Sequence, residues 1–156
     1  MTWKASKRGA IAPFIVMDVM RTANERAAAG HDVLHLEVGQ PDTPAPQGVL
    51  DAAGYAIAND RLGYTDALGI APLRQRIADH YGAWYGVDVD GRRVVATTGS
   101  SGAFILAFLA AFDAGDRVAL ASPGYPAYRN ILRALDLEPV RLEAGRATRF
   151  QPDPHL

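Results

Sequence analysis

Apolar runs and small polar breaks alternate in a regular order between Val94 and Tyr128, and that order predicts an architecture. Val94-Val95-Ala96-Thr97-Thr98 is a short apolar, β-branched run with the pattern of a buried strand, and it breaks at Gly99-Ser100-Ser101-Gly102. Ala103 to Phe112 follows with Phe104, Leu106, Phe108, Leu109 and Phe112, leaving hardly a polar position, so the predicted helix should be covered on most sides. Ala114-Gly115-Asp116 ends it, and Arg117 to Ser122 predicts a second strand. Strand, helix and strand with short connections form a βαβ unit, which places the Gly-Ser turn at the carboxyl end of the first strand. Ser122-Pro123-Gly124-Tyr125-Pro126-Ala127-Tyr128 predicts a rigid loop on the same sheet edge, facing the same crevice. With a helix over Tyr128 to Leu135 and a strand over Glu138 to Glu143, the expected unit is βαβαβ in an α/β fold.

The chain upstream has its own punctuation. Val16, Val19, Met20, Ala23 and Ala27 recur at helical spacing within Phe14 to Ala29, and Gly30 stands where a left-handed residue would stop the helix. Asp32 to Val38 alternates as a short strand does and runs into Gly39 to Pro46, whose three prolines exclude regular structure. Val49, Leu50, Ala53 and Ile57 mark a second helix. Pro72 opens a third, with Leu73, Ile77, Tyr81 and Trp84 on one stripe and Gly86 at its close. The first dozen residues are basic and small, an arm with nothing to bury, and Ala144 to Leu156 shows no periodicity.

Composition narrows the class. Of 156 residues 49% are apolar, enough for one core, and a formal net charge of −1 leaves no electrostatic footprint for nucleic acid or an acidic membrane surface. Without cysteine there is neither a disulfide framework nor a thiolate metal site, which suits a reducing cytoplasm. His31 and His35 lie four apart, but on a strand that spacing spans roughly 13 Å, too far for one metal ion. His80 reads as a flank of the apolar stripe, and Arg74, Arg76 and Asp79 as an exposed helix face. The Gly-Ser turn allows two readings on its own sequence: a phosphate cradle, with backbone N–H groups and the Ser100 and Ser101 hydroxyls as donors, or a plain helix cap. Dinucleotide, P-loop and nucleophile-elbow motifs each lack their defining residues.

Five segments in register resemble a family: Phe14 to Asp42 with Val38-Gly39-Gln40-Pro41-Asp42; Tyr64 through Gly69-Ile70 and Leu73-Arg74; Thr98 to Ala103; Gly115-Asp116; and Ser122 to Tyr128. Together they are similar to the amino-terminal half of the class I and II aminotransferases, the pyridoxal-phosphate enzymes of the aspartate aminotransferase fold. The resemblance implies an arm, a small-domain helix and a substrate-side loop over residues 1–46, then the first, incomplete part of a cofactor-binding large domain over residues 47–156. It implies pyridoxal 5'-phosphate as cofactor, held by Ser100, Ser101 and Gly102 at its phosphate and by Tyr125 stacked on its ring. Tyr64 would reach a neighbouring subunit's cofactor phosphate in a homodimer, and Gly39 would lie against the substrate carboxylate. The expected reaction passes an amino group between an amino acid and a 2-oxo acid. The family's cofactor-linking lysine belongs to the half of its pattern that these residues do not match, and the only lysines, Lys4 and Lys7, match nothing in it. The alternative expectation is a truncated, non-catalytic chain that at most binds phosphate or a partner subunit.

Overall fold

The computed structural model of the chain describes residues 3–153, so the first two residues of the arm and the last three of the tail lie outside it. Five helices and two strands are formed there: α1 (Ile15–Ala28), α2 (Gln47–Asn59), α3 (Ala71–Tyr85), α4 (Gly99–Ala111), β1 (Arg117–Ser122), α5 (Pro126–Ala134) and β2 (Glu138–Glu143). They fall into two compact units, one of Met1–Glu37 with Thr98–Leu156 and one of Val38–Thr97.

In the first unit β1 and β2 pair in parallel, from Arg117 opposite Glu138 to Ser122 opposite Glu143, with α5 as the crossover. Proline fixes its own φ and lacks an N–H that the first turn would leave unpaired, and on those terms α5 starts at Pro126, two residues before the expected Tyr128 and within the expected loop. Past its end Asp136 takes a left-handed φ of 64°, and the Leu137 amide donates back to the Leu132 carbonyl at 2.9 Å. That return seats Leu137 beside Leu132, which is 0% exposed, and with Ala144 these form the buried core of the unit. Helix α1 half-buries Val16, Met20 and Ala23 of the expected stripe, while Val19 and Ala27 stay exposed, and Gly30 follows it with a φ of 86°. The arm does find a surface: Ile11 is half-buried, and the Asn130 amide of α5 donates to the Ala12 carbonyl at 3.3 Å.

Three further expected segments change. Val94 to Thr98 forms no strand; Val94 is extended, at φ −90° and ψ 131°, but the Ala96 amide donates to the Leu68 carbonyl at 3.0 Å instead of entering a ladder. Asp32 to Val38 is likewise unpaired, with Leu34 84% and Leu36 90% exposed. An apolar, β-branched run sets only the dihedral preference, and a strand also needs a partner. Of the expected βαβαβ unit the described residues therefore pair its second half, β1-α5-β2. The third change is at α4, which begins at Gly99, so Ser100, Ser101 and Gly102 are its first turn rather than a loop before it.

In the second unit α3 opens with Pro72 and closes at Gly86, whose φ is 65°. Its packed side is offset from the expected stripe: Ala78 is buried and Arg74 and Ile77 half-buried, while Leu73, Tyr81 and Trp84 stay exposed. Trp84 instead meets the His80 ring at 5.3 Å. Arg74, expected to be solvated, donates from Nε to the Val94 carbonyl at 2.7 Å and from a terminal nitrogen to the Arg92 carbonyl at 2.9 Å. The guanidinium thereby satisfies backbone acceptors that have no ladder. Gly69 has a φ of +96°, and a Cβ there would lie 2.7 Å from that of Ala96, so both backbone and space require glycine.

Asp90 precedes the short 3-10 turn Gly91–Arg93, accepting from the Arg92 amide at 2.8 Å and pairing with its guanidinium at 2.5 Å. The Arg92 side-chain bond, then the backbone bond, hold the Asp90 carboxyl at about 2, below the usual carboxylate range. A depressed folded-state value means the turn's stabilisation is complete above the ordinary 3.8 and is lost as pH falls toward and through about 2. Carboxyl NMR titration should place the Asp90 midpoint near that lower value, and Arg92→Gln should move it up. A midpoint unchanged by Arg92→Gln would refute the pairing.

Candidate functional site

Four of the residues singled out by sequence lie in the first unit. Thr98, which precedes α4, makes no side-chain capping bond, and the hydroxyls of Ser100 and Ser101, both exposed, have no hydrogen-bond partner among the described residues. The first turn of a helix leaves backbone N–H groups without intrahelical acceptors at the positive end of its dipole. Donors of both kinds thus converge on one exposed turn, where half-buried Gly102 adds no side chain. An anionic group with several acceptor oxygens suits such a turn.

Tyr125 stands at the start of α5, 51% exposed, with Phe14 edge-on at 5.8 Å and Tyr128 edge-on at 5.3 Å. The Ser122-Pro123 peptide before it is cis, and a Cβ on Gly124 would overlap the Ala121 carbonyl oxygen. Only glycine fits a backbone that folds back so closely. A cleft of about 500 Å³ is lined by Tyr125, Tyr128, Ser122, Arg129 and Arg141 among others. Arg141, in β2, donates to the Ser122 hydroxyl at 2.8 Å and pairs with Glu143 at 3.0 Å. The cleft lining does not include Ser100 or Ser101. Ring contacts connect the two places, because Phe104 of α4 lies 4.4 Å from Tyr128.

Gly39 and Tyr64 belong to the unit Val38–Thr97. Tyr64 is 110% exposed, and a Cβ added at Gly39 would meet nothing within 4 Å, so the chain's own packing does not demand glycine there. Of the histidines, His35 places Nδ1 2.8 Å from a Glu37 carboxyl oxygen, a bond that lowers the carboxyl's pKa. Sequence reasoning missed Arg141 and Tyr128. Arg141 carries no spacing signal within its strand, and Tyr128 reads from sequence only as a boundary between loop and helix. No helix among the described residues is long and apolar enough to cross a membrane.

Comparison with known proteins adds four findings. The family model for aminotransferase class I and II matches residues 31–155. Over 152 residues the chain is 53% identical to the valine–pyruvate aminotransferase of Mycobacterium tuberculosis, covering 97% of this chain and 39% of that protein. Among solved structures it is similar to an aminotransferase from Mycobacterium tuberculosis, at TM-score 0.91 and 52% identity over 97% of this chain and 39% of the other. The aspartate aminotransferase of Thermus thermophilus with maleate matches at TM-score 0.92 and 30% identity, over 99% of this chain and 41% of that one. The chain thus spans about two fifths of the length of the relatives it matches.

Proposed function

The chain belongs to the class I and II aminotransferase family, and on that premise we propose that the protein carrying it moves an amino group between an amino acid and a 2-oxo acid with pyridoxal 5'-phosphate as cofactor. The observation that carries the cofactor reading is the pair of unbonded serine hydroxyls in the first turn of α4, which follows a Thr98 that makes no side-chain capping bond, in the same unit as the half-exposed ring of Tyr125. These residues fit a phosphorylated aromatic ring. Ser100, Ser101 and Gly102 would hold the phosphate by charge-assisted bonds, and Tyr125 would cover one face of the ring. The bound cofactor supplies an electron sink that eases removal of the proton next to the amino group. The residues described here bind and orient it, while Lys4 and Lys7 stand exposed in the arm.

Gly39 would let a substrate carboxylate approach the backbone, since its open surroundings leave room for a ligand. Full exposure of Tyr64 favours a homodimer in which it reaches the neighbouring subunit's cofactor phosphate. Given the identity to the mycobacterial relative, valine and pyruvate are the first substrate pair to assay.

The test is Ser101→Glu in the full-length protein. A carboxylate facing a phosphate adds like-charge repulsion and removes a donor, so cofactor binding should weaken by on the order of 1 to 3 kcal/mol or more. Titration of the apoprotein with pyridoxal phosphate reads this directly. Unchanged affinity would leave the turn a helix start and nothing more.

A further inference from the structure

Tyr128 is the ring through which two separate elements meet. It lies 4.4 Å from Phe104 of α4 and 5.3 Å from Tyr125, the first of these at the short limit for aromatic neighbours. Phe104 stands four residues after Ser100 on the same helix, hence on the same face, and helical side chains lean over the turn before their own Cα. Tyr125 and Tyr128 are three apart at the start of α5. From phosphate turn to ring-covering tyrosine the path is therefore Ser100, Phe104, Tyr128, Tyr125, with Phe14 closing the far edge of Tyr125 at 5.8 Å. Tyr128 is half-buried, and its hydroxyl makes no hydrogen bond among the described residues, so its contribution is the ring.

We infer that Tyr128 is a positioning residue that sets the spacing between the phosphate turn of α4 and the ring face offered by Tyr125. The inference rests on the pyridoxal-phosphate reading above. A ligand whose phosphate and ring are joined by a short covalent arm gains from both contacts only when they are held at the matching separation, because the second contact is then made at high effective concentration. A ligand that is phosphate alone has no second contact to lose. Removing the Tyr128 ring frees Tyr125 to move relative to α4, so the penalty falls on the two-part ligand.

The apo form of the full-length protein is titrated with pyridoxal phosphate and, separately, with inorganic phosphate. Tyr128→Leu should weaken pyridoxal phosphate about tenfold or more while leaving inorganic phosphate within about twofold. Tyr128→Phe should restore the first value. Phe104→Leu removes the same contact from the other helix and should give the same split, and it replaces Tyr128→Leu where that variant does not fold. Equal losses for both ligands would make Tyr128 a general support of the fold and overturn the inference, as would unchanged affinity for both. A parent protein that binds pyridoxal phosphate no better than inorganic phosphate would remove the cofactor reading itself, and the positioning role with it.

Discussion

Purified as residues 1–156, the chain should bind a hydrophobic dye strongly and melt without a sharp transition. Its buried apolar residues among those described are Ala78, Leu132, Leu137 and Ala144, while Leu34, Leu36, Ile57, Leu106, Leu109 and Trp84 are exposed. At about 25 cal/mol per Å² of apolar surface, that uncovered area forgoes much of the hydrophobic free energy that offsets chain entropy. Helix α4 shows the cause locally. Phe104 and Phe108 pack half-buried, with Phe104 against Tyr128, but Ile105, Leu106 and Leu109 face outward on a helix apolar all round. A parallel pair such as β1 and β2 is stable when both faces are covered. The measurement is a thermal melt with dye binding at several protein concentrations. A sharp, concentration-independent unfolding of a monomer would show that this much packing suffices.

Leu132→Ala should cost the first unit most of its order. Leu132 is fully buried at the centre of β1-α5-β2, and truncating a buried leucine typically costs about 2–5 kcal/mol. So small a core has no reserve of that size. Local units can stay ordered where the whole chain does not unfold as one, so hydrogen exchange is the suitable probe. In the parent chain the ladder amides of β1 and β2 should exchange more slowly than those of residues 32–38; Leu132→Ala should erase the difference, and Leu109→Ala, at an exposed position, should leave it intact. Equal protection in parent and Leu132→Ala would show that the pair is not held by this side chain.

Helices α1, α2 and α3 and both strands were legible because their signals are local: an apolar period, Pro72 at the start of α3, Gly30 and Gly86 past the ends; α5 was legible as a helix, but it begins at Pro126, inside the expected loop, rather than at Tyr128. What failed depended on distant residues. Val94 to Thr98 and Asp32 to Val38 have the pattern of strands, but pattern cannot supply a ladder partner. The start of α4 was placed four residues late because Gly and Ser suit a turn and a first helical turn equally. Arg74 was misplaced because its partners, the carbonyls of Arg92 and Val94, become acceptors only in the folded unit. At the candidate site, the residues alone marked Ser100, Ser101 and Gly102 as a phosphate cradle or a helix cap, and the family resemblance named Tyr125, whereas the ring contact of Phe104 with Tyr128 could be read from neither. Phe104 looked like any other apolar position of its helix.

The short crossover in β1-α5-β2 also sets a timetable. Arg117 pairs with Glu138 and Ser122 with Glu143, so the ladder closes over a single helix and uses contacts near in sequence, the kind that form quickly. On the ribosome this piece can take shape once Glu143 is clear of the exit tunnel. Val94 to Thr98 is made earlier yet gains no ladder from anything up to Asp153. In the nascent chain, structure should therefore arise out of the order of synthesis, with the later-made ladder finished while the earlier segment is still unpaired.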